Sequence, residues 1–156
     1  MNKQIIEWIF IISLLSVSRV CNCCECQQNV TNIVEQFCRS KFMIKIKVIS
    51  GEQTSNETND ELNTWYDIEL VKFIKLSEGS RSAIESNRIW TSNTECGRKL
   101  HKNKRFLISG DLSADETKAI TSVCKYGVQN ENLSKHDETF FRIKHLQEKC
   151  KSYPKN

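Results

Sequence analysis

The chain has 156 residues, 38% of them hydrophobic, and a formal net charge of +4. This length leaves room for one domain with a modest core and excludes a second globular domain of ordinary size. The positive charge is too mild to indicate a partner by itself, whereas the eight cysteines are a prominent feature.

Residues 1–23 have the pattern of a secretory signal peptide. Lys3 lies near the start, an apolar stretch follows at residues 8–17, and small residues come next. The apolar run is shorter than the ~20 residues that a membrane-spanning helix needs, and Glu7 interrupts the region. We therefore expect a secreted, extracellular protein with no membrane span.

Secretion changes how the cysteines are interpreted, because an oxidising compartment favours disulfides over free thiols or thiolate metal sites. Three N-glycosylation sequons are compatible with the same route, and they begin at Asn29, Asn56 and Asn132.

The first predicted elements follow the cysteine-rich start. Apolar residues at helical spacing predict a short helix over 32–39 that ends near Cys38. From Phe42 to Ile49, apolar residues alternate with Met43 and two lysines, which is the period of a half-buried strand.

A polar segment at 51–63 predicts an exposed loop, and a long strand follows over Trp65–Leu76. The apolar residues of this strand change parity, and a bulge near Leu70 would reconcile them and help the strand bend around a small barrel.

Three further strands and a helix complete the prediction. The strands lie at 87–92, 104–109 and 119–124, and a terminal helix begins at Ser134, which can cap it. Five short strands with peripheral helices suggest a small antiparallel barrel, although the pattern alone allows a sandwich equally well.

Nothing in the motifs indicates an enzyme. The three histidines, His101, His136 and His145, lack the spacing of metal ligands and are interpreted as surface residues. The sequence also lacks a glycine-rich phosphate loop and a G-x-S-x-G elbow, and the clustered cysteines at its start are interpreted as disulfide staples rather than as a thiol catalyst. Secretion argues against a nucleic-acid partner.

A basic cluster follows Cys96. Its cations could hold a sulfated glycosaminoglycan of the extracellular matrix by electrostatic attraction, and a solvated polar loop is the simpler interpretation. The cluster consists of Arg98, Lys99, Lys102, Lys104 and Arg105.

The cysteine spacing resembles a known family. From Cys24 the chain has C-x-C, then Cys38, a long gap to Cys96, and finally Cys124 and Cys150. This arrangement is similar to the N-terminal domain of the tissue inhibitors of metalloproteinases. Three further segments resemble that domain, namely Phe37-Cys38 before the strand at 44–48, Glu95-Cys96-Gly97, and residues 106–112.

The resemblance covers residues 24–150 and leaves a short tail at 151–156. It implies a netrin-like fold: a mainly β, five-stranded antiparallel barrel of the oligonucleotide/oligosaccharide-binding (OB) type, with short flanking helices and disulfide staples. Spacing alone leaves 15 pairings of six cysteines open. The resemblance implies Cys24–Cys96, Cys26–Cys124 and Cys38–Cys150.

The function that the resemblance implies is inhibition of zinc metalloproteinases, without a cofactor or metal of the chain's own. The free amine and the carbonyl of Cys24 would chelate the protease's zinc, and residues 24–27, including Cys26 and Gln27, would form a rigid wedge with Thr94 and Glu95. Glu25 would enter the specificity pocket, where the family usually places a small residue such as Thr or Ser. An unpaired buried carboxylate is costly, so Glu25 predicts weakened or altered inhibition.

The start of the mature chain has three alternatives because of an extra C-x-C at Cys21 and Cys23. Cleavage after Cys23 leaves an even six cysteines, cleavage after Val20 leaves all eight, and cleavage after Ser18 masks any cysteine amine. We favour cleavage after Cys23. A masked start would favour the alternative function, a non-inhibitory extracellular module that binds matrix polysaccharide or a protein ligand.

Overall fold

A computed structural model of the chain describes residues 24, 26, 33–55, 62–129 and 143–151. Several predicted features lie outside the described residues: the signal peptide at 1–23, Glu25, Gln27, and the sequons at Asn29, Asn56 and Asn132.

The described residues form three helices and seven strands. In chain order they are α1 (Ile33–Arg39), β1 (Phe42–Val48), β2 (Gln53–Thr54), β3 (Thr64–Leu76), α2 (Ser80–Glu85), β4 (Arg88–Thr91), β5 (Arg105–Leu112), β6 (Ala119–Ile120), β7 (Gly127–Gln129) and α3 (Ile143–Cys150).

Five of the strands close into a barrel, in the order β1–β3–β4–β6–β5, because β5 also pairs with β1. Neighbouring strands are antiparallel except β4 and β6, which run parallel at Trp90 and Ile120. Two short strands extend the sheet outside this ring, β2 beside β3 and β7 beside β5. The predicted five-stranded OB-type barrel is confirmed, with one parallel pair, and the sandwich is wrong.

Two bulges curve the long strand β3. Its register with β1 shifts at Ile74 and again at Val71, so that neither residue has a partner on β1. A bulge bends its strand and increases the local twist, which lets a 13-residue strand follow the wall of a small barrel. The bulge predicted near Leu70 is therefore confirmed.

The barrel interior is the main hydrophobic core. The four alternating residues of β1, which are Phe42, Ile44, Ile46 and Val48, are each 0% exposed. They pack with inward side chains of β3, β4 and β5, and α2 adds Ala83 and Ile84 to the same core. The strand parity expected from the sequence therefore identifies the interior face correctly.

A second core lies on the outer face of the barrel. Met43 and Leu107 have the opposite parity to the interior residues, yet both are 0% exposed. They are covered by Phe37 of α1 and Leu146 of α3. The two helices therefore pack on one end of the outer face and convert exposed strand positions into buried ones.

Lys75 holds the end of helix α1. Its ammonium donates hydrogen bonds to the carbonyl oxygens of Phe37 (2.5 Å), Cys38 (3.0 Å) and Ser40 (2.6 Å). A cation at a helix C-terminus is favourable because it satisfies carbonyls that lack helical partners. Burial lowers the pKa of Lys75 from its ordinary value.

Several element boundaries differ from the prediction. The strand expected at 119–124 ends at Ile120, and the chain turns at residues 123–124. The strand expected at 104–109 continues to Leu112. The terminal helix is present over Ile143–Cys150, and its predicted start at Ser134 lies outside the described residues. The sequence pattern does not predict β2, α2 or β7.

Candidate functional site

Two loops leave the barrel at the same edge. β4 ends at Thr91 and β6 ends at Ile120, and these strands are parallel neighbours. The carboxyl ends of parallel neighbours lie at one edge of a sheet. We call residues 92–98 the Cys96 loop and residues 121–127 the Cys124 loop.

The Cys96 loop is a tight turn held by hydroxyl groups. The Ser92 hydroxyl lies 2.8 Å from the Thr94 hydroxyl and accepts a hydrogen bond from the Thr94 amide at 3.1 Å. The Thr94 hydroxyl in turn accepts from the Cys96 amide at 3.2 Å. A Cβ atom on Gly97 would lie 1.8 Å from the Ser92 carbonyl oxygen, so this close approach requires glycine.

The two loops contact each other directly. The Val123 amide donates to the Cys96 carbonyl oxygen at 3.0 Å. Within the Cys124 loop, the Cys124 amide donates to the Ser122 hydroxyl at 3.3 Å. The two cysteines are therefore held on adjoining backbone segments.

The Arg98 side chain crosses from the first loop to the second. Its Nε donates to the Ser122 carbonyl (3.0 Å), Nη1 to the Gly127 carbonyl (3.1 Å), and Nη2 to the carbonyls of Val123 (3.4 Å) and Lys125. Burial lowers the pKa of the Arg98 guanidinium from its ordinary value. Arg98 is therefore directed into the fold, although the sequence placed it in the basic surface cluster.

The remaining members of the basic cluster differ in exposure. Lys99, Lys102 and Arg105 are exposed, whereas Lys104 is half-buried. Without Arg98, the cluster is smaller than the sequence suggested.

Disulfides attach Cys24 and Cys26 to these two loops. Cys24 is bonded to Cys96 and Cys26 to Cys124, with Cα–Cα distances of 5.4 and 5.2 Å. A third disulfide joins Cys38 of α1 to Cys150 of α3, also at 5.2 Å. These are the pairs that the resemblance implied, and all three distances lie in the range usual for disulfides.

The arrangement brings four of the expected site residues to one edge of the barrel. Cys24 and Cys26 are bonded to the two loops, and Thr94 and Glu95 are exposed on the Cys96 loop. Glu25 and Gln27, the other two residues of the expected wedge, are outside the described residues.

A family model described as tissue inhibitor of metalloproteinase matches residues 21–153. The chain belongs to this family. Tissue inhibitors of metalloproteinases are extracellular inhibitors rather than enzymes, and their partners are metalloproteinases. The match begins at Cys21 and thus includes both C-x-C pairs. No curated protein sequence matches the chain.

Among the described residues, no group of three or more His, Cys, Asp or Glu side chains could hold a metal ion. Over the same residues, no helix has both the length and the apolar character needed to cross a bilayer. His101 is exposed.

Sequence reasoning missed the residues that join the loops. Neither Arg98 nor Val123 lies in a hydrophobic pattern that would show whether its side chain points into the fold or into solvent. The available signal is a pair of glycines, Gly97 and Gly127, each within three residues of a cysteine. Glycine is the usual residue where the backbone must come very close to another group.

Proposed function

We propose that the protein is a secreted inhibitor that blocks zinc metalloproteinases by chelating the catalytic zinc through the amine and carbonyl oxygen of Cys24. The observation that carries this proposal is the attachment of Cys24 and Cys26 by disulfides to two loops that are hydrogen-bonded to each other. Family membership supplies the class of partner.

The chemistry follows from the zinc site of the target. Catalytic zinc in these proteases keeps one coordination position open for a water molecule. An α-amine has a pKa of about 7.7–8.0, so its deprotonation near neutral pH costs about 1 kcal/mol. The amine must be unblocked, which requires a mature chain that starts at Cys24.

Preorganisation explains why a short N-terminal segment could bind tightly. The disulfides at Cys24 and Cys26 fix two alternate residues of the segment onto the barrel edge. A segment that is ordered before binding loses less conformational entropy when it binds. Thr94 and Glu95 are exposed on the adjoining loop, where they would contact the protease beside the chelating residue.

The decisive experiment compares a chain that begins at Cys24 with one that carries a single alanine before Cys24. The added residue converts the amine to an amide, which cannot chelate, so we expect inhibition of a matrix metalloproteinase catalytic domain to fall at least about 100-fold. Equal melting temperatures and equal disulfide maps control for folding. Equal inhibition by both chains would overturn the chelation mechanism.

Glu25 tests the specificity part of the proposal. A carboxylate inserted in an apolar pocket without a partner lowers affinity, so Glu25→Thr should bind at least about 10-fold more tightly across a panel of matrix metalloproteinases. The matched control is Glu78→Thr, which makes the same change at an exposed position. Unchanged affinity for Glu25→Thr would show that this side chain does not occupy the pocket.

A second candidate function is binding to sulfated polysaccharide. The strand register favours it, because Lys45 is paired with Lys72 and Lys47 with Arg105 across neighbouring strands. These cations extend the basic cluster across β1, β3 and β5. Glu69, which lies 3.9 Å from Lys47, offsets part of this charge.

Heparin chromatography in a salt gradient tests this second function. The double variant Lys72→Glu/Arg105→Glu should elute at a clearly lower salt concentration than the parent, because charge attraction to a polyanion is screened by salt. The double variant Arg81→Glu/Arg88→Glu, at exposed positions on α2 and β4, makes the same change of −4 in net charge and is the control. If Lys72→Glu/Arg105→Glu elutes no earlier than this control, the second function is excluded.

A further inference from the structure

We infer that Arg98 is a positioning residue, which fixes the Cys96 loop and the Cys124 loop relative to each other and thereby determines how tightly the Cys24 wedge binds a metalloproteinase. This inference rests on the proposed function. It adds a residue outside the wedge itself, and it assigns to that residue a measurable share of the affinity.

The Arg98 side chain makes several strong hydrogen bonds to the second loop. Arg98 donates to four carbonyl oxygens of the Cys124 loop, spread over residues 122–127. A guanidinium is planar, permanently charged and has five N–H groups in a fixed fork, so it can hold several carbonyls in one geometry. Charge-assisted hydrogen bonds of this kind are stronger than neutral ones.

Arg98 is itself anchored to the barrel. Its backbone amide donates to the Thr91 hydroxyl at 2.7 Å, and Thr91 is only 2% exposed at the end of β4. The main chain of Arg98 is therefore anchored to the barrel. Its side chain, starting from that anchor, holds the Cys124 loop in place.

The fold leaves space for the Arg98 side chain beside Gly127. A Cβ atom on Gly127 would lie 2.5 Å from both Cζ and Nη1 of Arg98. Any side chain at residue 127 would displace the guanidinium from its carbonyls. Glycine at position 127 therefore leaves the space that the Arg98 guanidinium occupies.

The consequence for binding follows from the disulfides. Cys24 is attached to one loop and Cys26 to the other, so a change in the relative position of the loops changes the direction of the segment between them. Loss of the Arg98 contacts would allow a wider range of loop positions. The two loops would then have to become ordered when the protease binds, and the entropy lost in that step would lower the affinity.

Lys75 provides a control outside the two loops, and the helix that it holds touches the Cys124 loop where the Gln36 side chain donates to the Cys124 carbonyl oxygen at 3.5 Å. Lys75 also donates to three carbonyl oxygens, and it also holds a segment that carries a disulfide, namely the end of α1 at Cys38. A purely structural role predicts similar effects for Arg98→Met and Lys75→Met. A positioning role predicts a clearly larger loss of affinity for Arg98→Met than for Lys75→Met.

The experiment measures three quantities for the chain starting at Cys24 and for both variants: the unfolding midpoint, the Kd for a matrix metalloproteinase catalytic domain, and amide hydrogen exchange without protease. We expect both variants to be less stable. We expect Arg98→Met to bind at least about 10-fold more weakly and to exchange faster at Val123 and Cys124, with clearly smaller changes in both quantities for Lys75→Met.

The outcomes separate the inference from the proposed function. Reduced stability of Arg98→Met with unchanged Kd would overturn the inference and leave a structural role only. If the parent chain does not inhibit, the proposed function fails and the affinity part of the inference fails with it, while hydrogen exchange still decides whether Arg98 holds the loops. If Arg98→Met does not fold, Gly127→Ala displaces the same guanidinium and should show the same loss of affinity.

Discussion

Truncation of Leu146 tests whether the last helix is an integral part of the fold. Leu146 is 0% exposed and packs in the second core with Phe37, Met43, Ile74 and Leu107. Its removal leaves a cavity under α3 that side chains from α1 and the barrel can fill only in part. Substitution of a fully buried leucine by alanine costs about 2–5 kcal/mol, so we expect Leu146→Ala to destabilise the protein by about 3 kcal/mol.

The change should be large in an unfolding experiment. For a domain of this size, about 3 kcal/mol lowers the melting temperature by roughly 10 °C. Guanidinium unfolding of the disulfide-intact protein measures the same loss through a lower midpoint at constant slope.

Two controls make the result interpretable. Leu146→Met keeps the side-chain volume and should cost less than about 1.5 kcal/mol. Val71→Ala removes a side chain that is 49% exposed and should change stability by less than about 0.5 kcal/mol. If Leu146→Ala loses less than about 1 kcal/mol, α3 is retained by its disulfide to Cys38 and the packing argument is wrong.

Three further predictions follow from other parts of the structure. Replacing Cys38 and Cys150 by alanine removes a bridge between residues 112 apart, which the chain-entropy model values at about 4–5 kcal/mol, so chemical unfolding should show most of the parent's stability lost. Burial raises the pKa of Tyr66 from 10.0 to about 12. Its stabilising contribution is therefore full below pH 10 and is lost as the pH rises to 12; Tyr66→Phe should flatten this part of the pH–stability curve, and an unaltered slope would contradict the assignment. Gly97→Ala places a methyl group 1.8 Å from the Ser92 carbonyl oxygen, so the Cys96 loop must move and inhibition should weaken, whereas Gly51→Ala, with no atom within 4 Å, should inhibit like the parent.

The barrel could be predicted from sequence because its strands have a strong period. In β1, the alternating apolar residues are Phe42, Ile44, Ile46 and Val48, and all four lie in the barrel interior. The parity change in β3 also indicated a bulge before the register was known. In a long alternating segment, the positions of the apolar residues show which face of the strand is buried, so the face that lines the barrel could be predicted.

Short elements and side-chain directions could not be predicted in this way. Ser80–Glu85 has six residues, which is less than two helical turns, and Gly127–Gln129 has three, which is too few to show a period. Met43 is buried by helices that are distant in sequence, so its own strand pattern gives no sign of burial.

Arg98 illustrates the same limit at the site. The charged residues around it suggested solvent exposure, and its actual partners are carbonyl oxygens 24–29 residues further along the chain. Carbonyl acceptors occur at every residue and leave no mark in the sequence. The disulfide pairs came from the family resemblance for a similar reason, since spacing alone does not distinguish the pairings.

The order of the disulfides along the chain has a consequence for an inhibitor that meets proteases. Each bridge starts before Cys38 or at it and ends at Cys96 or after it, so every peptide bond between those two residues is enclosed by all three bridges. A protease that cuts once in this region produces two fragments that stay covalently joined. Such a nicked molecule would keep both Cys24 and the loop bonded to it, and only reduction would separate the pieces.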